Sequence, residues 1–197
     1  MNEQIARTSK EMVDIGKLFQ KSWQLFQSKP VEHLVASLIV LVLSAVTLGV
    51  LMGPLVVGQI RMVEKQQRGE TPRIEDVFAG FASFGPAFLT SLIFAVAVGV
   101  GALFLVLPAV FVALAWGFAL WFVALENASP TAALSGSWQL LKSNAASVIL
   151  VFVLLGVVNA VAGTVVLGTL LSAPLSMIFA TLAFQDMSSS TPDVSRV

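Results

Sequence analysis

The stretch "KSWQLFQSKP" at residues 21–30 and the stretch "GSWQLLKSNA" at residues 136–145 share a Ser-Trp-Gln-Leu core, and each is followed by a long apolar run. A third stretch, "AGFASFGPAF" at residues 79–88, stands in the same relation to an apolar run, with Phe81 in the tryptophan's place. Each closes a segment with helical periodicity. Met12, Ile15, Phe19, Trp23 and Phe26 recur at spacings of three and four; so do Ile74, Phe78, Phe81 and, less regularly, Phe84, and so do Leu134, Trp138 and Leu141. A polar reverse face makes each an amphipathic helix.

Starts for these helices are also legible. Thr8 with Glu11 forms a capping box, and Thr71-Pro72 and Ser129-Pro130 each read as an N-cap followed by proline at the first helical position. The expected unit is therefore a capped amphipathic helix, an aromatic anchor, a span, a Gly/Pro break and a second span. It occurs three times, as pseudo-repeats 8–67, 71–127 and 129–187. Trp23, Phe81 and Trp138 are the expected interfacial anchors, where an amphipathic ring suits the headgroup level. The reading is one membrane domain over 1–187 with a short disordered tail at 188–197.

Composition points the same way. Of the 197 residues, 57% are hydrophobic and 11% charged, against about 25% charged in soluble domains. So much apolar surface needs lipid as its solvent. The net charge is zero, which gives no electrostatic footprint for nucleic acid, and the absence of cysteine removes disulfide, thiol and thiolate-metal chemistry. The first twenty residues lack the apolar core of a cleavable signal.

Lys, Arg, Asp and Glu are absent from three windows, 34–60, 77–125 and 143–185. A spanning helix needs about 20 apolar residues, so the second and third windows each hold two spans. Breaks are expected at Pro108 and Pro174. The first window is longer than one span and shorter than two, with its own break at Gly53-Pro54. Lys and Arg crowd both of its flanks, so a single crossing would oppose the positive-inside rule, and a hairpin is favoured over a re-entrant pair or one long span. All eleven basic residues then lie on one side, with both termini cytoplasmic. The predicted fold class is all-α: a polytopic helical bundle of six spans in three hairpins, each preceded by an interfacial helix.

Inside the windows and at their edges little chemistry is on offer. His33 is the single histidine and is expected at the interfacial surface. Asn159 is the most polar deep residue, flanked at heptad spacing by Gly156 and Gly163, and reads as a helix-packing amide or as a cavity-lining one. Gly49 and Gly53 match a small-xxx-small pattern for close helix packing. No catalytic, cofactor-binding or metal-ligating set is assigned, and no cofactor is implied.

The stretches "SWQLFQSKP", "GPLVVGQIRMVEKQQRGETPRIEDVFAGF" and "LPAVFVALAWGFALWFVALENASPTAALSGSWQLLKSN" resemble bacterial multi-pass proteins of unknown function. Those proteins are related to the membrane domain that precedes some glycerophosphoryl diester phosphodiesterases. The resemblance implies a six-helix protein of the bacterial inner membrane without known catalysis. The phosphodiesterase activity does not carry over, because its metal-binding His and carboxylates have no counterpart here. The expected function is a non-enzymatic scaffold or accessory protein that organises lipids or partner proteins, its own copies among them, at the cytoplasmic face. The alternative is a channel or transporter for a neutral or amphipathic solute.

Overall fold

The computed structural model describes residues 13–104, 106–163 and 166–190, and every regular element among them is helical. In chain order these are α1 (Ile15–Ser28), α2 (Pro30–Val46), α3 (Met52–Gln67), a 3-10 helix (Ile74–Ser83), α4 (Phe84–Phe104), α5 (Val106–Trp116), α6 (Ala119–Glu126), α7 (Pro130–Ser143), α8 (Ala145–Ala162) and α9 (Val166–Ser189). Three of the helical stretches are long and apolar enough to cross a membrane: 74–103, 108–126 and 145–162. The pair α1 and α2 makes a fourth if taken as one bent span.

Local chemistry fixes the helix starts. Asp14 accepts the Lys17 N–H at 3.1 Å and opens α1, while the Thr8–Glu11 box lies outside the described residues. Ser129 accepts from the Ala132 N–H, with Pro130 opening α7. The expected start at Thr71-Pro72 is corrected: the 3-10 helix begins at Ile74, and Asp76 closes its end by accepting the Arg73 N–H at 2.7 Å. Its type explains the imperfect α-periodicity there. In a 3-10 helix residues i and i+3 eclipse, so Phe78, Phe81 and Phe84 fall in one row, with ring centroids 6.1 and 6.0 Å apart.

The chain turns by 95° between α1 and α2, at Lys29-Pro30, where proline bars its predecessor from helical geometry. Helices α2 and α3 then run antiparallel, joined by a turn at 47–51. Gln59 Nε2 donates to Ser37 Oγ at 2.9 Å, and His33 pairs with Gln66, which sets the register. Window 34–60 is thus two helices, not one long one. Gly49 takes φ +85° in this turn, with nothing within 4 Å of a β-carbon placed there. The Gly49/Gly53 pattern is therefore not a helix-packing pair: Gly49 supplies a left-handed backbone, and only Gly53 packs closely, against Ala87 and Ser91.

The hairpin prolines also need correction. Pro54 and Pro108 sit in the first turns of α3 and α5, just after the breaks, where a missing N–H costs nothing. Pro174 lies inside α9. Helix α8 ends at Ala162, with Gly163 as its cap, and α9 has begun by Val166, both before Pro174. The return arm of the second hairpin is broken as well, at Gly117-Phe118 between α5 and α6. Ser137 on α7 repairs that break: its hydroxyl donates to the Ala115 carbonyl at 2.8 Å and accepts the Phe118 N–H at 3.3 Å. Ser188 and Ser189, expected within the tail, are helical, and 191–197 lie outside the described residues.

Helix α3 is the centre of the packing, with eleven of its residues buried. It meets the 3-10 helix backbone to backbone. A β-carbon on Gly58 would stand 1.7 Å from the Val77 carbonyl oxygen, and one on Gly80 would stand 1.9 Å from that of Pro54. Around α3 gather Phe118, Phe122, Leu140, Ile178 and Phe184, all buried. Packing loosens toward the hairpin tips, where Leu48 is 94% and Leu103 86% exposed.

Candidate functional site

Arg61 leaves α3 one residue beyond the first charge-free window and ties three elements together. Its Nε donates to the Ala124 carbonyl at 3.0 Å and its Nη1 to the Ala79 carbonyl at 3.0 Å. Its Nη2 donates to Ser83 Oγ at 2.7 Å and to Asn127 Oδ1 at 3.1 Å. The Ala124 carbonyl belongs to the last turn of α6, whose carbonyls lack helical partners and carry partial negative charge. Asn127 ends that helix in the left-handed region, at φ 53°, which asparagine tolerates better than most residues.

Four of the five guanidinium N–H groups are thus used, and all four acceptors are neutral. Neighbouring charges are paired with one another. Lys65 Nζ lies 2.9 Å from Asp76 Oδ1, and Arg68 pairs with Glu64 one turn earlier. Arg61, Glu64, Lys65, Arg68, Glu70, Ser83 and Asn127 line a polar cavity of about 550 Å³.

A second polar set holds the bend. His33 Nε2 and Gln66 Oε1 are 2.7 Å apart, which makes Nε2 the donor. The Gln66 amide nitrogen donates to the Leu25 carbonyl and to Ser28 Oγ, each at 2.8 Å. The expectation of a surface His33 is corrected: it is 4% exposed, and Gln66, itself tied to Leu25 and Ser28 of α1, satisfies it. Among the described residues no group of three or more His, Cys, Asp and Glu side chains could hold a metal ion.

The three anchors lie on three separate helices. Trp23 is 44% exposed and leans on Phe26 at 5.9 Å. Phe81 is 37% exposed within its row of phenylalanines. Trp138 packs edge-on to Phe111 at 5.8 Å, with Lys142 Nζ 5.6 Å over its ring. Asn159 bridges the arms of the third hairpin: its Nδ2 donates to Ser176 Oγ at 3.0 Å and to the Leu155 carbonyl, and its Oδ1 accepts from Ser172 at 3.1 Å. Gly156 and Gly163 do not create that contact. Nothing comes within 4 Å of a β-carbon on Gly156, and one on Gly163 meets only its own helix. The close approach of these two helices is at Gly168 instead, where a β-carbon would stand 2.5 Å from the Ala162 carbonyl oxygen.

Sequence reading missed Arg61 and Ser137. Arg61 was legible only as one of several cations flanking an apolar window. The available signal was its position on the apolar side of the Glu64–Arg68 cluster, where a lone cation needs acceptors. Ser137 could not be singled out, because the break that it repairs leaves no polar mark in "LAWGFALW".

Apolar cavities complete the surface. One of about 610 Å³ lies among Met52, Val56, Phe94, Val98, Trp116 and Trp121, and one of about 780 Å³ lies between the arms of the second hairpin. No curated protein and no solved structure matches the chain. A family model described as a domain of unknown function, DUF7847, matches residues 21–194. The match takes in helices α2 to α9, the Arg61 cluster and the anchors, and the chain belongs to that family.

Proposed function

We propose that this is a non-enzymatic integral membrane protein that organises lipids or partner membrane proteins at the cytoplasmic face of a cell membrane. Six segments enter lipid as three hairpins from that face, with both termini cytoplasmic. The observation that carries the reading is the split between the two ends of the molecule. Arg61, Lys65, Arg68 and their partners cluster where α3 ends, and the helices leaving that end expose Leu41, Val96, Val153 and Val157. Exposed apolar helix faces on this scale match lipid contact or association with other copies. The bacterial inner membrane and a kinship with the phosphodiesterase membrane domain belong to the same proposal and rest on the sequence resemblance.

Transport of a neutral solute is less well supported. Asn159, the polar group deepest in an apolar window, is committed to Ser172 and Ser176, and none of the cavities described above includes it. The test is cysteine accessibility in intact cells. Cysteines at Gly69, Ser143 and Ser189 should label only from the cytoplasmic side, while those at Leu51, Ala109 and Ser172 should label from the other side or stay shielded. Labelling of Gly69 from outside would overturn the topology.

A further inference from the structure

We propose that the cavity at Arg61 is a binding site for a phosphate group, carried by a lipid headgroup or by free phosphate. Arg61 takes the oxygens of Ser83 and Asn127 and two backbone carbonyls as its acceptors. That leaves one Nη1–H of Arg61, the Ser83 hydroxyl hydrogen and the Asn127 amide hydrogens without an acceptor among the described residues. All three side chains line the same cavity of about 550 Å³. Three side chains that keep unused hydrogens on one cavity offer donors to an oxyanion.

Charge agrees. Lys65 is neutralised by Asp76 and Arg68 by Glu64, whereas no carboxylate among the described residues pairs with Arg61. A partly buried guanidinium without a counter-charge favours an anion beside it, and its planar fork matches the geometry of phosphate oxygens. Glu70, which also lines the cavity, has no ion-pair partner among the described residues and opposes such a ligand. The cavity lies at the edge of an apolar window, the level at which a headgroup phosphate would sit. The lipid source rests on the membrane reading above, and the free-phosphate source does not.

The test uses the full chain purified in a neutral detergent. Inorganic phosphate is titrated in one arm. In the other the protein is placed in nanodiscs of a phosphate-free galactolipid with or without phosphatidylglycerol, and thermal stability is followed in both. We expect saturable stabilisation by at least one probe: by phosphate alone if the ligand is free, by phosphatidylglycerol alone if it is a headgroup. Asn127→Asp keeps the left-handed backbone and the oxygen that Arg61 uses, but replaces the donors with a negative charge. It should weaken binding about tenfold or more while the protein stays folded. Glu70→Gln should tighten it. Wild-type affinity in Asn127→Asp, or no response to either probe, overturns the site. Correct cysteine labelling with a silent cavity would leave the membrane topology standing and remove this inference alone.

Discussion

Gly58 and Val77 meet backbone to backbone: a β-carbon on Gly58 would stand 1.7 Å from the Val77 carbonyl oxygen. The reciprocal contact sets Gly80 against Pro54. Neither neighbour is a flexible side chain that could move aside.

Gly58→Ala and Gly80→Ala should therefore destabilise the protein by at least the 1–3 kcal/mol, roughly, of overpacked cores, since the opposing backbone must shift. Gly156→Ala is the control, because nothing lies within 4 Å of its added carbon. In mid-helix it should be neutral or stabilise by up to about 1 kcal/mol. Melting temperatures of the three variants in one detergent decide the matter; equal values would mean that α3 and the 3-10 helix do not meet as described.

Ser137→Ala should cost about 1–3 kcal/mol, because it leaves the Ala115 carbonyl and the Phe118 N–H unpaired at a buried helix break. Faster amide exchange should appear at Phe118 specifically. Wild-type protection there would show that the α5–α6 break is held by other means.

Asn159→Leu should lose only about 0.6 kcal/mol, the average for such bonds between membrane helices. Combined with Ser176→Ala, its effect should be less than additive, because the two side chains share one bond at 3.0 Å. Strict additivity in a double-mutant cycle would argue against that contact.

Asp14 makes a pH prediction. The hydrogen bond from the Lys17 N–H, with help from the Lys17 side chain, holds its carboxyl below its usual value. A lowered pKa stabilises the folded state above the ordinary carboxylate value, and the contribution fades as pH falls through the lowered one. The first turn of α1 should therefore fray as the pH drops below about 4. Exchange of the Lys17 amide against pH reports it, and Asp14→Asn, still a cap, should flatten the profile.

Much of the architecture could be read from charge. Windows free of Lys, Arg, Asp and Glu gave the apolar helices, and the flanking cations gave the folding of window 34–60 into two antiparallel helices. What stayed hidden has physical causes. Pro174 marks a break in sequence logic, but a helix can carry a proline through its interior when packing holds it, and α9 does. His33 reads as a surface residue until the fold buries it and brings Gln66, 33 positions away, within hydrogen-bond reach. The 3-10 helix hides because a spacing of three passes for an irregular α-helical stripe. Arg61 shows its role only in three dimensions, since its acceptors at Ala79, Ala124 and Asn127 come from two other elements.

The contact of Gly53 with Ala87 and Ser91 bears on membrane thickness. It sets the tip of the first hairpin beside the opening turns of α4, which continues to Phe104, about 20 Å further along its axis. The first hairpin therefore stops well short of the second. The 18 residues of α8 reach only about 27 Å, less than a hydrocarbon core of about 30 Å. In the membrane setting proposed above, lipid facing the short hairpin would have to dip to meet it, and the cost of that hydrophobic mismatch would fall as the bilayer thins. In that setting, a protein of this shape would deform the leaflet opposite its charged end and partition toward thin membranes.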